Sequence, residues 1–253
     1  MTVLSIAIIA RDEARHIGGC LSSVAGLSDD IVVIVDAQTR DATAMIAANY
    51  GARVLIEPWR GFSAQRNLAL QRCRNEWVLF IDADERLTPE LFSEIATLMY
   101  YGPPAAVAGY RIPRYNLFFG RRLRGGGWYP DYQLRLLRRD AASYDEQVAV
   151  HEVATLRGEV GDLRGHLLHL NIERLDELWQ KQARYAFAEA RMLYQSGRRM
   201  RLRNLLGAPV REFTRRYLQL GGWRDGWLGL FLCATLAWHE VIKFCMLYGL
   251  QQD

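Results

Sequence analysis

Residues 77–85 read Trp-Val-Leu-Phe-Ile-Asp-Ala-Asp-Glu. The six residues from Trp77 to Asp82 have the character of a buried strand, and the strand runs straight into Asp82, Asp84 and Glu85. Carboxylates crowded at a strand tip repel one another and are costly to desolvate, so the arrangement calls for positive charge. Alternate residues leaving a strand can turn to the same side, which lets Asp82 and Asp84 converge. Oxygen ligands of this kind suit Mg2+ or Mn2+, ions that are commonly shared between protein carboxylates and substrate phosphates. A competing reading is a capping cluster ahead of the next helix, because acids favour helix N-termini. The buried strand in front of the pair favours the metal–diphosphate reading.

The elements that must hold these acids can be read upstream. Residues 3–10 and 31–36 are short branched apolar runs, and 52–57 and 77–82 repeat the pattern, as expected of parallel strands covered on both faces. Helical spacing lies between them: Ile17, Cys20, Leu21, Val24 and Leu27, then residues 41–50 with Asp41 as N-cap, then 61–72. Thr88 and Pro89 open a further helix as N-cap and first helical residue. This β-α alternation predicts an α/β, Rossmann-like, mostly parallel sheet with helices on both faces. Ligands of such sheets bind outside the carboxyl ends of the strands, where Arg11-Asp12-Glu13, Asp36 and Asp82-Ala83-Asp84 fall.

Beyond residue 105 the texture changes. Residues 105–120 and 132–139 read as strands of a mixed extension, joined by the glycine-rich aromatic loop Gly125–Tyr132. From about residue 172 the chain reads as helical, with Leu175, Leu178, Trp179, Gln182 and Tyr185 on one face. Residues 198–224 carry eight arginines against one acid, Glu212, and 227–250 are strongly apolar but interrupted by His239, Glu240 and Lys243. His239-Glu240 is not part of an HExxH motif and is placed on the polar side of a helix. The arginines alternate with Leu, Tyr, Trp and Phe, which suits an interfacial helical region on an anionic membrane better than a spanning segment. A core-buried C-terminal helix is the plainer alternative. The expected organisation is an α/β domain over 1–171, with halves 1–104 and 105–171, and a membrane-associated helical region over 172–253.

The totals agree with this. The chain has 253 residues, half of them hydrophobic, and a net charge of +4, so it can bury a core. Its four cysteines form no CxxC pair, which argues against a disulfide scaffold or zinc site and fits a reducing cytosol. The N-terminus lacks the basic segment of a signal peptide. No nucleic-acid-binding motif accompanies the arginines, so a nucleic-acid partner is not expected.

Four stretches, residues 5–24, 31–43, 61–70 and 77–85, together resemble family 2 of the glycosyltransferases with the GT-A fold. Residues 126–139 and Val150-His151-Glu152 resemble the branch containing bacterial lipopolysaccharide-core β-1,4-glucosyltransferases. The resemblance implies a nucleotide-sugar site built from Ala10, Arg11, Glu13, Asp36, Arg66, Asp82, Ala83 and Asp84. In it Asp36 and Glu13 contact base or ribose, Asp82 faces ribose and metal, and Asp84 binds Mg2+ or Mn2+ directly. Arg66 would offset phosphate charge, its alternative being a solvated helix arginine. His151 is a candidate third metal ligand and Glu152 its neighbour, although a lone histidine is more often simply packed.

By position Asp131 resembles the catalytic base, with Trp128, Tyr129, Gln133 and Glu152 on the acceptor side; without the resemblance, Pro130-Asp131 reads as a turn. One departure is the loop Asp36-Ala37-Gln38-Thr39-Arg40-Asp41, where family members often carry small residues between the two aspartates. Gln38 and Arg40 enlarge it, which puts the usual base or sugar preference in question. Asp12 likewise stands where Asn is frequent.

The expected activity is metal-dependent, inverting transfer of a hexose, with UDP-glucose the leading donor, to a lipopolysaccharide inner-core sugar or similar glycolipid at the cytoplasmic face of the inner membrane. Two rivals are transfer to a polyprenyl phosphate, for which Arg121, Arg122 and Arg124 supply basic residues near Asp131, and a non-catalytic nucleotide-sugar-binding membrane adaptor.

Overall fold

The computed structural model describes residues 3–146 and 154–252. The chain forms two compact units, 1–114 with 132–169, and 115–131 with 170–253.

The first unit begins with β1 (Leu4–Ala10), α1 (Ile17–Ser23), β2 (Asp30–Asp36), α2 (Thr43–Asn49), β3 (Arg53–Glu57), α3 (Phe62–Arg72) and β4 (Trp77–Phe80). β1 pairs in parallel with both β2 and β4, and β2 with β3. The strands are apolar on both faces because helices cover both. Ile6, Ile8, Val33, Val35 and Leu79 pack with Ile17 and Leu21 of α1 and Ala47 of α2. Ala7, Val32, Ile34, Val78 and Phe80 pack with Ala69 and Leu70 of α3 on the other side. After β4 come β5 (Glu85–Leu87), α4 (Pro89–Tyr101) and β6 (Val107–Phe118). Thr88 caps α4 by accepting from the Leu91 amide at 3.3 Å, with Pro89 in the first turn, as expected.

The predicted mixed extension is present. After β7 (Arg121–Arg122), β8 (Tyr132–Arg138) adds antiparallel to β4, and β6 adds antiparallel to β8. The short strands β9 (Ala142–Ser143) and β10 (Thr155–Leu156) pair with each other, and β11 (Glu159–Asp162) pairs in parallel with β6. β5, which the sequence pattern does not reveal, pairs antiparallel with residues 167–169 of β12 (Leu167–Ile172). Three residues are too few to show a period, and β5 depends on that distant partner.

The second unit holds α5 (Leu175–Gln195), α6 (Leu202–Phe213), a π-helical turn (Thr214–Gln219), a 3-10 turn (Gly222–Asp225) and α7 (Gly226–Gly249). Residues 115–131, grouped by the sequence pattern with the preceding strands, fold with these helices. Phe118 and Leu123 share a core with Ile172, Leu178, Leu228 and Leu232. The face expected for α5 is not its core face: Leu178, Ala186 and Ala190 are buried, while Leu175, Trp179 and Tyr185 are exposed. His239 does not lie on a solvent-facing side of α7. It is buried, its Nε2 is 3.8 Å from Glu189, and Lys243 pairs with Glu189 at 3.0 Å and with Glu240. All four cysteines are free thiols.

Gly125 marks a close backbone approach inside this unit. A Cβ there would lie 2.0 Å from the Gly221 carbonyl oxygen. Gly125→Ala should therefore destabilise the protein by about 1–3 kcal/mol, the range for overpacking. Urea unfolding checks this, and an unchanged midpoint would mean the two segments separate freely.

Candidate active site

The positive charge required at the tip of β4 is supplied first by arginines. Arg135, on β8, donates to both oxygens of Asp82 and, from Nη2, to Glu85 Oε1 at 2.8 Å. Arg114 donates to the same Glu85 oxygen at 2.9 Å, and Glu85 Oε2 accepts the Asp82 amide at 3.0 Å. Glu85 is completely buried and the Arg135 side chain is 6% exposed. Burial alone would raise the Asp82 carboxyl, but Arg135, with Arg66 behind it, holds it well below the usual carboxylate range. Arg66 is not a solvated helix arginine. Its side chain is 11% exposed, lies 3.5 Å from Asp82 Oδ1, and stacks over the rings of Phe80 and Tyr144. Arg86 ties the turn to α1 by donating to the carbonyls of Ala83, Glu85 and His16 at 2.7–2.8 Å.

Asp84 stands outside this clasp. Its Oδ2 lies 3.2 Å from Nε2 of His169, on β12. The neighbouring Glu13, half-buried, is pushed up to about 7, first by burial and then by the charges of Asp84, Asp41 and Asp82. Glu13, Asp41, Asp82 and Asp84 thus share one rim. A divalent cation is a ligand that such an oxygen-rich rim suits. Asp84 and His169 are an oxygen and a nitrogen donor side by side, and Mg2+ or Mn2+ completes its shell with water and phosphate oxygens. Asp82 has both oxygens engaged by Arg135 but keeps 38% of its side chain exposed. Among the described residues no three acids, histidines or cysteines converge as a complete protein cage.

The ends of β1 and β2 are stitched together. Arg11 Nη1 lies 3.1 Å from Asp36 Oδ2, and Asp36 Oδ1 accepts the Gln38 amide at 2.9 Å. Asp12, at φ 53°, accepts the Arg40 amide at 2.8 Å. Asp41 accepts the amides of Ala14 and Thr43, both at 2.9 Å, and Thr43 Oγ1 accepts the Glu13 amide at 2.8 Å. The N-cap of α2 is Ala42, not the expected Asp41, which lies one residue earlier and ties the start of the helix to the loop after β1. The added bulk of Gln38 and Arg40 is exposed. Ala10 and Ala83 are buried, their lack of side-chain bulk leaving room at the strand ends.

In the second unit Asp131 is held by Asn116. Asn116 Nδ2 donates to Asp131 Oδ2 and to the Trp128 carbonyl, each at 2.9 Å. Asn116 Oδ1 accepts from Asn171 at 3.2 Å, and Asn171 Oδ1 accepts from Lys181 at 2.8 Å. Trp128, expected as a sugar-stacking surface, packs against Phe118 at 5.5 Å with Arg216 over its ring at 5.4 Å. Tyr129 sits 5.4 Å from Tyr115. Gln133 is half-buried on β8. His151 and Glu152 lie outside the described residues.

Arg135, Arg114, His169 and Asn116 are site residues that the sequence reading missed. Arg135 carried a signal, a single charge inside the apolar run Leu134–Leu137. His169 carried a similar one within Leu167–Leu170, and Asn116 carried none.

Carboxylates at the C-terminal ends of parallel strands, in an α/β unit with an antiparallel extension, are the arrangement expected of a GT-A glycosyltransferase, and comparison with known proteins shows that class. Residues 5–157 match the family described as glycosyl transferase family 2, and the chain belongs to it. It is 32% identical over 251 residues to the lipopolysaccharide core biosynthesis glycosyltransferase LpsC of Rhizobium meliloti (strain 1021), covering 97% of this chain and 92% of LpsC. It is 27% identical over 256 residues to the uncharacterized glycosyltransferase RP128 of Rickettsia prowazekii (strain Madrid E), covering 96% and 87%. Its fold is similar to that of the mannosyltransferase PcManGT from Pyrobaculum calidifontis, solved with GDP-Man and Mn2+, at a TM-score of 0.54 and 12% identity over 100% of this chain and 88% of that one. The expected GT-A arrangement is thus present.

Removing Arg135 strands Glu85, a fully buried carboxylate, with Arg114 alone. Arg135→Met should cost about 3–5 kcal/mol by denaturant unfolding, the range for breaking a buried pair. A depressed carboxylate stabilises the fold above the ordinary carboxylate range and loses that contribution as pH falls through its native value. The variant should therefore also show a flatter acid limb in its stability–pH curve.

Proposed function

We propose that this glycosyltransferase moves a hexose, with glucose the leading candidate, from a nucleotide-diphosphate sugar to a sugar hydroxyl of the lipopolysaccharide inner core or a similar glycolipid, with inversion and with Mg2+ or Mn2+. One observation carries the reading: the carboxylates of Glu13, Asp36, Asp82 and Asp84 gather at the strand ends where α/β sheets bind ligands. The likeness to LpsC supports the acceptor class, and the fold shared with PcManGT supports a nucleotide-sugar donor.

In this reading Asp36 and Glu13 accept hydrogen bonds from base and ribose. Asp84 and His169 would hold the ion, which when bound would stabilise charge on the departing nucleoside diphosphate. Asp82, fixed by Arg135, orients toward the ribose. Asp131 takes the proton from the acceptor hydroxyl as that oxygen attacks the anomeric carbon through an oxocarbenium-like transition state. The Asn116 amide holds one Asp131 oxygen in place.

Transfer and donor cleavage across a nucleotide-sugar panel, with each metal and with chelator, test this. Asp131→Asn should lower transfer by about 10²–10⁴-fold with donor affinity kept, and Asp84→Ala should abolish metal-dependent donor binding by calorimetry. A product labile to mild acid, a glycosyl phosphate, would replace the hydroxyl acceptor by a polyprenyl phosphate. Donor binding with no turnover, unchanged in Asp131→Asn, would identify the adaptor.

We further propose that the second unit rests on the cytoplasmic face of the inner membrane. By length and composition Gly222–Gly249 is able to cross a bilayer. Spanning would carry Glu189, His239, Glu240 and Lys243 toward hydrocarbon at high cost, so an interfacial position is favoured. On α6, Leu202, Leu206 and Val210 form a one-sided apolar stripe, 78%, 77% and 62% exposed, among arginines. Leu202→Glu with Leu206→Glu should weaken binding to phosphatidylglycerol vesicles by about 100-fold or more, from the two lost apolar burials. Thermal stability should hardly change, and undiminished flotation would remove α6 from the contact.

A further inference from the structure

We propose that the arginine-lined hollow beside the Asp131 loop is a subsite for an anionic group, a phosphate monoester or a carboxylate, carried by the acceptor glycolipid apart from its reacting hydroxyl. This rests on the glycolipid-acceptor reading and narrows it to anionic acceptors.

Two adjoining cavities of about 530 and 580 Å³ share Arg122, Leu123, Arg124 and Arg224 as walls. Arg121 and Trp227 extend one of them; Tyr115, Tyr129 and Pro130 extend the other. Every one of these residues belongs to the second unit. Arg122, Arg124 and Arg224 thus line both cavities and Arg121 one of them, and none of the four makes an ion pair with a carboxylate among the described residues. The acid on the wall, Asp225, has its oxygens engaged elsewhere: they accept the backbone amides of Arg124 at 2.8 Å and Gly125 at 3.0 Å. Arg122 is steadied by the Tyr115 ring, 4.1 Å from its guanidinium carbon. Like charges gathered around a concavity repel one another unless an anion joins them, and arginine forks match phosphate and carboxylate oxygens.

Place and size select the ligand. Tyr129 and Pro130 run directly into Asp131, so an anion seated against them is tethered close to the residue assigned to the acceptor hydroxyl. Each cavity is of a size to take a phosphorylated or carboxylated sugar ring. The exposed indole of Trp227 and the rings of Tyr115 and Tyr129 offer apolar surface for the ring itself. A flat lipid headgroup layer would contact exposed arginines equally well on a convex surface; the concavity favours a discrete group.

The test uses the full chain and the variant Arg122→Ala/Arg224→Ala, both positions exposed so that folding is spared. Calorimetry compares glucose 6-phosphate and glucuronate with glucose. The native chain should bind the anionic sugars at least about 10-fold more tightly than glucose, and the variant should lose that preference. Equal binding of all three by the native chain, or a preference that survives in the variant, overturns the proposal. Transfer is then measured to the glycolipid acceptor as isolated, after dephosphorylation, and after carboxyl reduction. Whichever treatment lowers native transfer by about 10–100-fold identifies the anion, and the variant should show the same loss on the intact acceptor and no further loss on the treated one. A variant that loses transfer equally on all three, in step with lost flotation on phosphatidylglycerol vesicles, overturns the subsite in favour of a membrane holdfast. Donor cleavage without acceptor should be equal in both proteins. Its absence from the native chain would count against the donor reading, and the sugar-phosphate titration would still decide the subsite.

Discussion

Arg135 is the residue on which the strand-end rim of the first unit depends. It is a permanent cation, buried on a central strand, and it satisfies two carboxylates that the end of β4 brings together. Without it Glu85 would keep only Arg114, and Glu85 in turn is the acceptor of the Asp82 amide. The turn carrying Asp82 and Asp84 is therefore closed both by its own backbone, Glu85 N–H to Asp82 C=O at 2.9 Å, and by this ion-pair cluster. Such a pair contributes little net stability against an apolar substitute, but it fixes geometry, because every alternative arrangement leaves a charge unpaired. The rim of strand ends inherits that rigidity through Arg86 and through the stitched loops after β1 and β2.

Charge is divided between acids of two kinds. Asp82 and Glu85 are committed to arginines. Asp84 instead faces His169, and burial together with the neighbouring acids raises Glu13 to about 7. In the other unit Asp131 is held by a neutral donor, Asn116, itself held by Asn171 and Lys181. That amide chain fixes the orientation of one Asp131 oxygen.

Much of this was legible in the sequence. The strands and helices of the first half follow from apolar runs and caps, because both sheet faces are covered and the pattern is strong. Asp36, Glu13 and Asp84 fall at the rim because strand ends are visible in the sequence. What could not be read depends on partners distant along the chain. Arg135 reaches back fifty positions to Glu85, and His169 reaches Asp84 only because β12 pairs with β5. On α5 the periodicity shows apolar residues without showing what covers them, and Arg216 meets Trp128 only through the fold.

The second unit is discontinuous, and this bears on how the chain is made. Residues 115–131 leave the ribosome well before α5 to α7, the helices they pack with, and α7 is completed more than a hundred residues later. At roughly 5–20 residues per second, Phe118 and Leu123 wait on the order of ten seconds for Leu228 and Leu232. During that interval the loop that carries Asp131 has no core of its own. The nascent chain passes through a stage in which the donor half has most of its strands while the segment bearing the proposed base is still unsupported. Maturation of the two halves is thus ordered by synthesis itself, and the last helix to emerge is the one that completes the core beneath the acceptor loop.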